Sequence, residues 1–293
     1  MLLAAIDIGT NAVRLFFSNA FSKNGQVVVE KASLLRIPIR LGEDVFTSGT
    51  ISQEKTDKLL KTMQAFKLLI EVNQPVAWKA CATAAMREAT NQQEVISKIE
   101  KETGIQIEVI DGLQEASLVS GLGDQYFHDA PKYVMFIDVG GGSTEISLLK
   151  GDNRIASGSF KIGTVRLLKN KVDKNEWTAM KKWLKSLNIK KSDFILVGSG
   201  GNINKITKLY GRIPDNILSI ERLEFALNDL GKFSLDERIQ QLGMRPDRAD
   251  VIIPAGQIFQ FIMRQIKIDN IYVPKIGLSD GMVIDMFKEY SRS

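Results

Sequence analysis

Asp7, in Ile6-Asp7-Ile8-Gly9-Thr10-Asn11, and Asp138, in Ile137-Asp138-Val139-Gly140-Gly141-Gly142-Ser143-Thr144-Glu145, each end an apolar run and precede a glycine turn. A carboxylate so placed can hold a hydrated divalent cation while turn N–H groups face phosphate oxygens. One Asp after a strand is ordinarily a turn residue. Two, each followed by glycine and a Thr or Ser, point to paired loops around one phosphate-bearing ligand. Gly140, Gly141 and Gly142 let the backbone approach anionic oxygens with no Cβ in the way. A third cluster, Gly198-Ser199-Gly200-Gly201-Asn202, follows an apolar run and opens a helix through Ile203 and Ile206. The amides of Gly200 and Gly201 could take another phosphate there, or the glycines could serve only a tight turn.

Three further side chains carry chemistry. Glu115 falls in the first turn of a helix that starts after Asp111-Gly112, with Asp111 as cap and Gln114 reaching back. Such a carboxylate is expected to face the side between the two halves, or simply to complement the helix dipole. Glu145, just past the triple glycine, could hold a metal or its water. Arg87 follows Cys81 at the Cys-x5-Arg spacing of cysteine phosphatases, but no glycine lies between the two to wrap N–H groups around a phosphate. That reading is rejected, and Arg87 is either a phosphate clamp or a surface arginine after a strand.

Inventory excludes other chemistries. The chain has one histidine, His128, and one cysteine, Cys81, among 293 residues. A cysteine-based zinc site is therefore excluded and a Ser-His-Asp triad or a multi-histidine metal site nearly so, leaving carboxylates and hard, oxygen-bound metals. The opening apolar run is broken by Asp7 and no later run approaches a membrane span, so a cytoplasmic protein without a signal peptide is expected. Net charge is +5. Eight lysines between Lys169 and Lys191 meet only Asp173 and Glu176. This run is either a solvated helix face or a track for a polyanion through Lys169, Lys171, Lys181, Lys182 and Lys185.

These residues need strands that end together. Apolar runs predict strands at 2–8, 12–19, 26–36, 76–82 and 105–110, with helices at 53–71, 92–102 and 113–123. The helix after Ser52 carries Leu59, Met63, Phe66 and Ile70 as one stripe. From Lys132 the order restarts: a strand at 133–139, a hairpin of 144–150 with 154–160, then helices and the strand at 194–197. A final helix is expected over 278–290, folding back onto the first half. The repeated opening argues for a duplicated α/β unit, 1–127 and 128–278, with a hinge near Phe127 to Pro131.

Together the runs Asp7 to Leu15, Ala82 to Ala89, Gly112 to Ala116, Asp138 to Glu145, Ile162 to Leu167, Gly198 to Gly201, Arg248 to Ile252 and Gly277 to Gly281 resemble the exopolyphosphatase and guanosine pentaphosphate phosphohydrolase family. The resemblance implies an α/β fold of two ribonuclease-H-like, actin-like lobes with an inter-lobe cleft. It implies Mg2+ as cofactor, with a monovalent cation as a further candidate. Carried over by motif, Glu115 is the general base, Arg87 grips the terminal phosphate, and Asp138 and Glu145 join Asp7 as metal residues. Gly9, Thr10, Asn11, Arg14, Gly140, Gly141, Gly142, Ser143, Gly200 and Gly201 line the phosphate cradle. Asn202 departs from the threonine usual in the third glycine motif, and the chain resembles the short members without an added helical domain.

The expected partner is inorganic polyphosphate, or alternatively guanosine pentaphosphate, with no nucleic acid and no membrane, and a homodimer is implied by likeness alone. A kinase or nucleotide-gated sensor of the same fold is the reading from another class. No second-substrate insertion supports a kinase, and a pure sensor would leave Glu115 and Arg87 without use.

Overall fold

The run Leu2–Ile8 is buried at every position except Leu2, as a strand covered on both faces must be. It forms β1, the centre of a five-stranded sheet in a computed structural model that describes residues 1–23, 26–120, 133–150, 153–188, 190, 194–212, 215–274 and 276–291. The expected hinge at Phe127 to Pro131, and His128, lie outside the described residues. The chain divides into two compact units, Met1–Gln125 with Leu278–Ser293, and Tyr126–Gly277.

In the first unit, β1 pairs antiparallel with β2 (Val13–Lys23), which pairs with β3 (Gln26–Ile37), and on its other side runs parallel to β4 (Ala77–Ala82) and then β5 (Glu108–Val109). The order is β3-β2-β1-β4-β5. The helices are α1 (Leu41–Ser48), α2 (Gln53–Asn73), α3 (Ala84–Glu88), α4 (Gln92–Thr103) and α5 (Gly112–Ser120). In α2 the Ser52 side chain accepts from the Lys55 N–H, and Leu59, Met63, Phe66 and Ile70 form the buried stripe.

The strand expected over 105–110 is only two residues long. Ile105, Ile107 and Ile110 are buried, which produced the strand-like pattern, but of the three only Ile110 reaches β4, its N–H donating to the Ala82 carbonyl at 3.0 Å. Instead the Thr103 hydroxyl takes the Ile105 N–H at 3.1 Å and the Glu100 carboxylate takes the Ile107 N–H at 3.3 Å. Side chains at the end of α4 thus satisfy donors that a strand would have paired.

The second unit begins with β6 (Tyr133–Val139), antiparallel to β7 (Thr144–Lys150), which pairs with β8 (Asn153–Phe160). On the other side β6 runs parallel to β9 (Phe194–Ser199), β9 to β11 (Asn270–Tyr272), and β10 (Ile217–Ser219) closes the edge antiparallel to β11. The order β8-β7-β6-β9-β11 repeats that of the first unit, with β10 added. Each unit is therefore a ribonuclease-H-like sheet. Helices α6 (Thr164–Leu168), α7 (Lys174–Ser186), α8 (Gly201–Tyr210), α9 (Ile220–Leu230), α10 (Leu235–Gln240), α11 (Pro246–Ala249) and α12 (Ile252–Ile266) complete it. The core joins Ile137, Ile146 and Leu196 of the sheet to Ile203, Ile258 and Phe259 of the helices.

The last helix, α13 (Leu278–Tyr290), returns to the first unit and packs on β1 and α5. Its approach is very close: a Cβ on Gly281 would lie 2.2 Å from the Leu118 carbonyl oxygen of α5. Because the obstacle is backbone, it cannot swing aside as a side chain would. Gly281→Ala is expected to destabilise the fold by about 1–3 kcal/mol through overpacking, read as a lower urea midpoint at unchanged slope.

Candidate active site

The two aspartate loops share one backbone geometry. The Gly9 N–H donates to the Ala12 carbonyl at 3.1 Å, and the Gly140 N–H donates to the Ser143 carbonyl at 3.0 Å. Each turn joins antiparallel strands, so the aspartate before it faces a defined residue after it: Asp7 opposes Arg14, and Asp138 opposes Glu145. The same place in the repeat therefore carries opposite charge. Arg14 donates to the buried Asp7 as an ion pair, and that pairing commits Asp7 to a guanidinium within its own unit.

In the second unit two carboxylates stand directly opposite each other, where side chains lie about 4.5–5.5 Å apart at Cβ and like charges repel. Glu145 is 2% exposed, and Ser159 donates to its Oε1 at 2.9 Å. A hard divalent cation suits this pair, because Mg2+ is usually held by one or two carboxylates plus water and substrate phosphates. An all-protein cage does not suit it: among the described residues no group of three or more His, Cys, Asp or Glu side chains forms a metal cluster.

Both loops are locked from behind by the start of a short helix. In the first unit the Gly42 N–H donates to the Thr10 carbonyl and the Arg40 N–H to the Asn11 carbonyl. A Cβ on Gly42 would fall 2.3 Å from Thr10 Cγ2. In the second unit the Thr164 N–H donates to Gly140, and Val165 and Arg166 donate to the Gly141 carbonyl at 2.9 and 3.2 Å. The buried Arg166 also donates from Nε to the Gly142 carbonyl at 3.0 Å. A Cβ on Gly163 would lie 2.4 Å from the Gly141 carbonyl oxygen. With these carbonyls engaged inward, the N–H groups of Gly141, Gly142 and Ser143 are the ones a phosphate can meet.

The third turn adjoins this loop. Gly200 has φ +109°, a conformation that favours glycine, and its missing Cβ would sit 3.4 Å from Asp138 Oδ1. Gly201 opens α8, and a Cβ there would lie 2.8 Å from Nη2 of Arg248. A guanidinium beside a helix N-terminus puts two positive features together, an arrangement relieved when an anion lies between them. Arg248 was quoted in the sequence motifs without a role, and only the fold brings it to Gly201.

Arg87 and Glu115 also meet. The Asp111 carboxylate accepts from the Leu113 and Gln114 N–H groups at 2.8 Å, while Gln114 Oε1 accepts from the Asp111 N–H at 2.8 Å. This cap fixes the first turn of α5, which holds Glu115 buried at 7% exposure. Arg87 donates to the Ile110 carbonyl at 2.6 Å, and its Nη1 lies 4.0 Å from Glu115 Oε2. Cys81 is in β4, and burial, with help from the Glu108 carboxylate, pushes its thiol up to about 12. The lysines are exposed: Lys169 and Lys171 follow α6, and Lys181, Lys182 and Lys185 are on α7.

The sequence profile of the Ppx/GppA phosphatase family matches residues 25–191. The chain belongs to that family. Its members are phosphatases, hydrolases that act on phosphoanhydride bonds, and the resemblance read from the motifs holds for family and fold. The chain is 23% identical over 305 residues to Exopolyphosphatase 1 of Mycobacterium leprae, spanning 97% of this chain and 89% of that protein. It is 21% identical over 303 residues to guanosine-5'-triphosphate,3'-diphosphate pyrophosphatase of Photobacterium profundum, spanning 98% of this chain and 60% of that protein. The Aquifex aeolicus Ppx/GppA crystal structure matches with a TM-score of 0.78 at 25% identity, covering 100% of this chain and 99% of the other.

Two measurements check this geometry. Gly163→Ala must displace the backbone of Gly141, so kcat is expected to fall by about 100-fold, as misplacement near 1 Å does, while circular dichroism stays native. Cys81→Ala should retain activity, and at pH 8 the wild-type thiol should resist iodoacetamide, since a raised pKa leaves it protonated until the pH nears about 12.

Proposed function

We propose that this chain hydrolyses the terminal phosphoanhydride of inorganic polyphosphate with Mg2+ as cofactor. The observation that carries this reading is the pairing of Arg87 with Glu115, a buried carboxylate held by a capping box 4.0 Å from a guanidinium. Phosphoryl transfer needs little covalent chemistry, mainly a positioned nucleophile and neutralised oxygens. In this reading Glu115 takes a proton from water, and Arg87, tethered at the Ile110 carbonyl, grips the terminal phosphate. In the second unit, the N–H groups of the Gly141 to Ser143 loop would meet phosphate oxygens. Asp138 and Glu145 would hold Mg2+, which supplies charge neutralisation on the phosphate chain.

Guanosine pentaphosphate is the second reading, favoured by the likeness to the Photobacterium protein. Polyphosphate is preferred because the match to the exopolyphosphatase spans most of both chains. The buried, single cysteine fits a reducing cytoplasm, and among the described residues no helix is long and apolar enough to cross a membrane.

Phosphate release from long polyphosphate and from guanosine pentaphosphate, side by side, tests the reading. Glu115→Gln is expected to lower kcat by about 10²–10⁴, the usual range for a general base, with little change in KM and an unchanged melting temperature. Full activity in that variant would remove Glu115 as the base, and chelation with EDTA should abolish turnover in the wild type.

A further inference from the structure

Within the first unit a cavity of about 330 Å³ lies between β4, β5, α5 and α13, in the size range of small-ligand sites. Its apolar lining is Cys81, Ile110, Leu118 and Met282. Its charged lining is three carboxylates, Glu108, Asp285 and Glu289, against one ammonium, Lys79. Three negative charges against one positive leave two uncompensated.

Sheet register places these charges. Glu108 stands beside Cys81 in the ladder of β4 and β5, and Lys79 is two residues back along β4, so the three side chains share one face. Lys79 is taken up by α13: its Nζ lies 2.9 and 3.0 Å from the two Glu289 oxygens and 3.6 Å from Asp285 Oδ2. Among the described residues no lysine or arginine pairs with Glu108. The Cys81 thiol lines the cavity at 3% exposure, with no hydrogen-bond partner among the described residues. Burial raises its pKa, and of the charges around it Glu108, Asp7 and Asp285 raise it further while Lys79 lowers it. The field at the thiol is therefore negative, and its sulfur can accept weakly from an N–H.

We propose that this cavity binds a short organic diammonium ion, one ammonium at Glu108 and the other at Asp285 and Glu289, with its methylenes against Leu118 and Met282. Two charges match the excess, and an alkyl body covers apolar surface as a lysine stem does. The acidic ends are set by Cys81 and Lys79, about 6.6 Å apart at the rise of a strand, close to the nitrogen-to-nitrogen span of 1,4-diaminobutane. A bare divalent metal suits the cavity less, because among the described residues no three His, Cys, Asp or Glu side chains gather to hold one. This goes beyond the hydrolytic reading and does not depend on it.

Isothermal titration of the full chain with 1,4-diaminobutane at constant ionic strength tests the site. Binding is expected to be at least ten-fold tighter than that of n-butylamine, which has the same body and a single charge. Glu108→Gln with Asp285→Asn should weaken it at least ten-fold, and the charge-matched pair Glu94→Gln with Glu221→Gln should leave it within two-fold. Glu145→Gln should also leave it within two-fold, which separates this site from the candidate metal pair. In protein labelled with carbon-13 at the methionine methyls, the Met282 signal, assigned with Met282→Leu, should move with the same midpoint. Equal loss in both acid pairs, loss in Glu145→Gln, butylamine binding as tightly, an unmoved Met282 signal, or no binding at millimolar concentration would each overturn the proposal.

Discussion

Two carboxylates placed opposite each other on adjacent strands, one of them almost fully removed from water, repel unless positive charge is nearby. Asp138 and Glu145 are in that position because β6 and β7 are joined by a four-residue turn whose register leaves no choice. The first unit has the same turn and register but no such repulsion, because Arg14 stands opposite Asp7 and pairs with it. The second unit places Glu145 opposite Asp138 instead, and a divalent cation bound there would neutralise both carboxylates. A single substitution in a duplicated frame therefore separates a structural ion pair from a candidate metal pair.

The rest of the second unit maintains that geometry. Helix α6 ties down three successive carbonyls of the glycine loop, and Gly163 allows the helix to approach the loop backbone closely. The third glycine turn abuts Asp138 from β9. None of these contacts is strong, but each is backbone-mediated and sterically narrow, so the loop has little room to relax. The first unit uses the same device at Gly42 and Thr10, and it uses a capping box to aim Glu115. Positioning is achieved by hydrogen bonds that end on backbone groups, including those from the Arg166, Arg87 and Asp111 side chains, which suits a reaction limited by alignment and charge.

Much of this was legible in the chain. The apolar runs before Asp7 and Asp138, the stripe of α2 and the Asp111 to Gln114 cap are local patterns, and local patterns determine local structure. Other parts were not legible. Helix α1, which opens at Arg40 in the left-handed region with φ 59°, has no side-chain cap and was missed. Strands β10 and β11 are three residues each, too short for a period to show. The isoleucines at 105, 107 and 110 were read as a strand because burial looks the same whether a ladder or a loop provides it.

By itself the sequence determined the duplicated strand-turn-strand units, the scarcity of histidine and cysteine and the family, because each depends on neighbours in the chain or on inventory. Only the tertiary structure decided which groups meet: Arg14 with Asp7, Arg87 with Glu115, Arg248 with Gly201, and Trp177 of α7 with Phe261 of α12. Those encounters join residues far apart in the chain, and their partners are chosen by sheet register and helix packing, which no local pattern encodes.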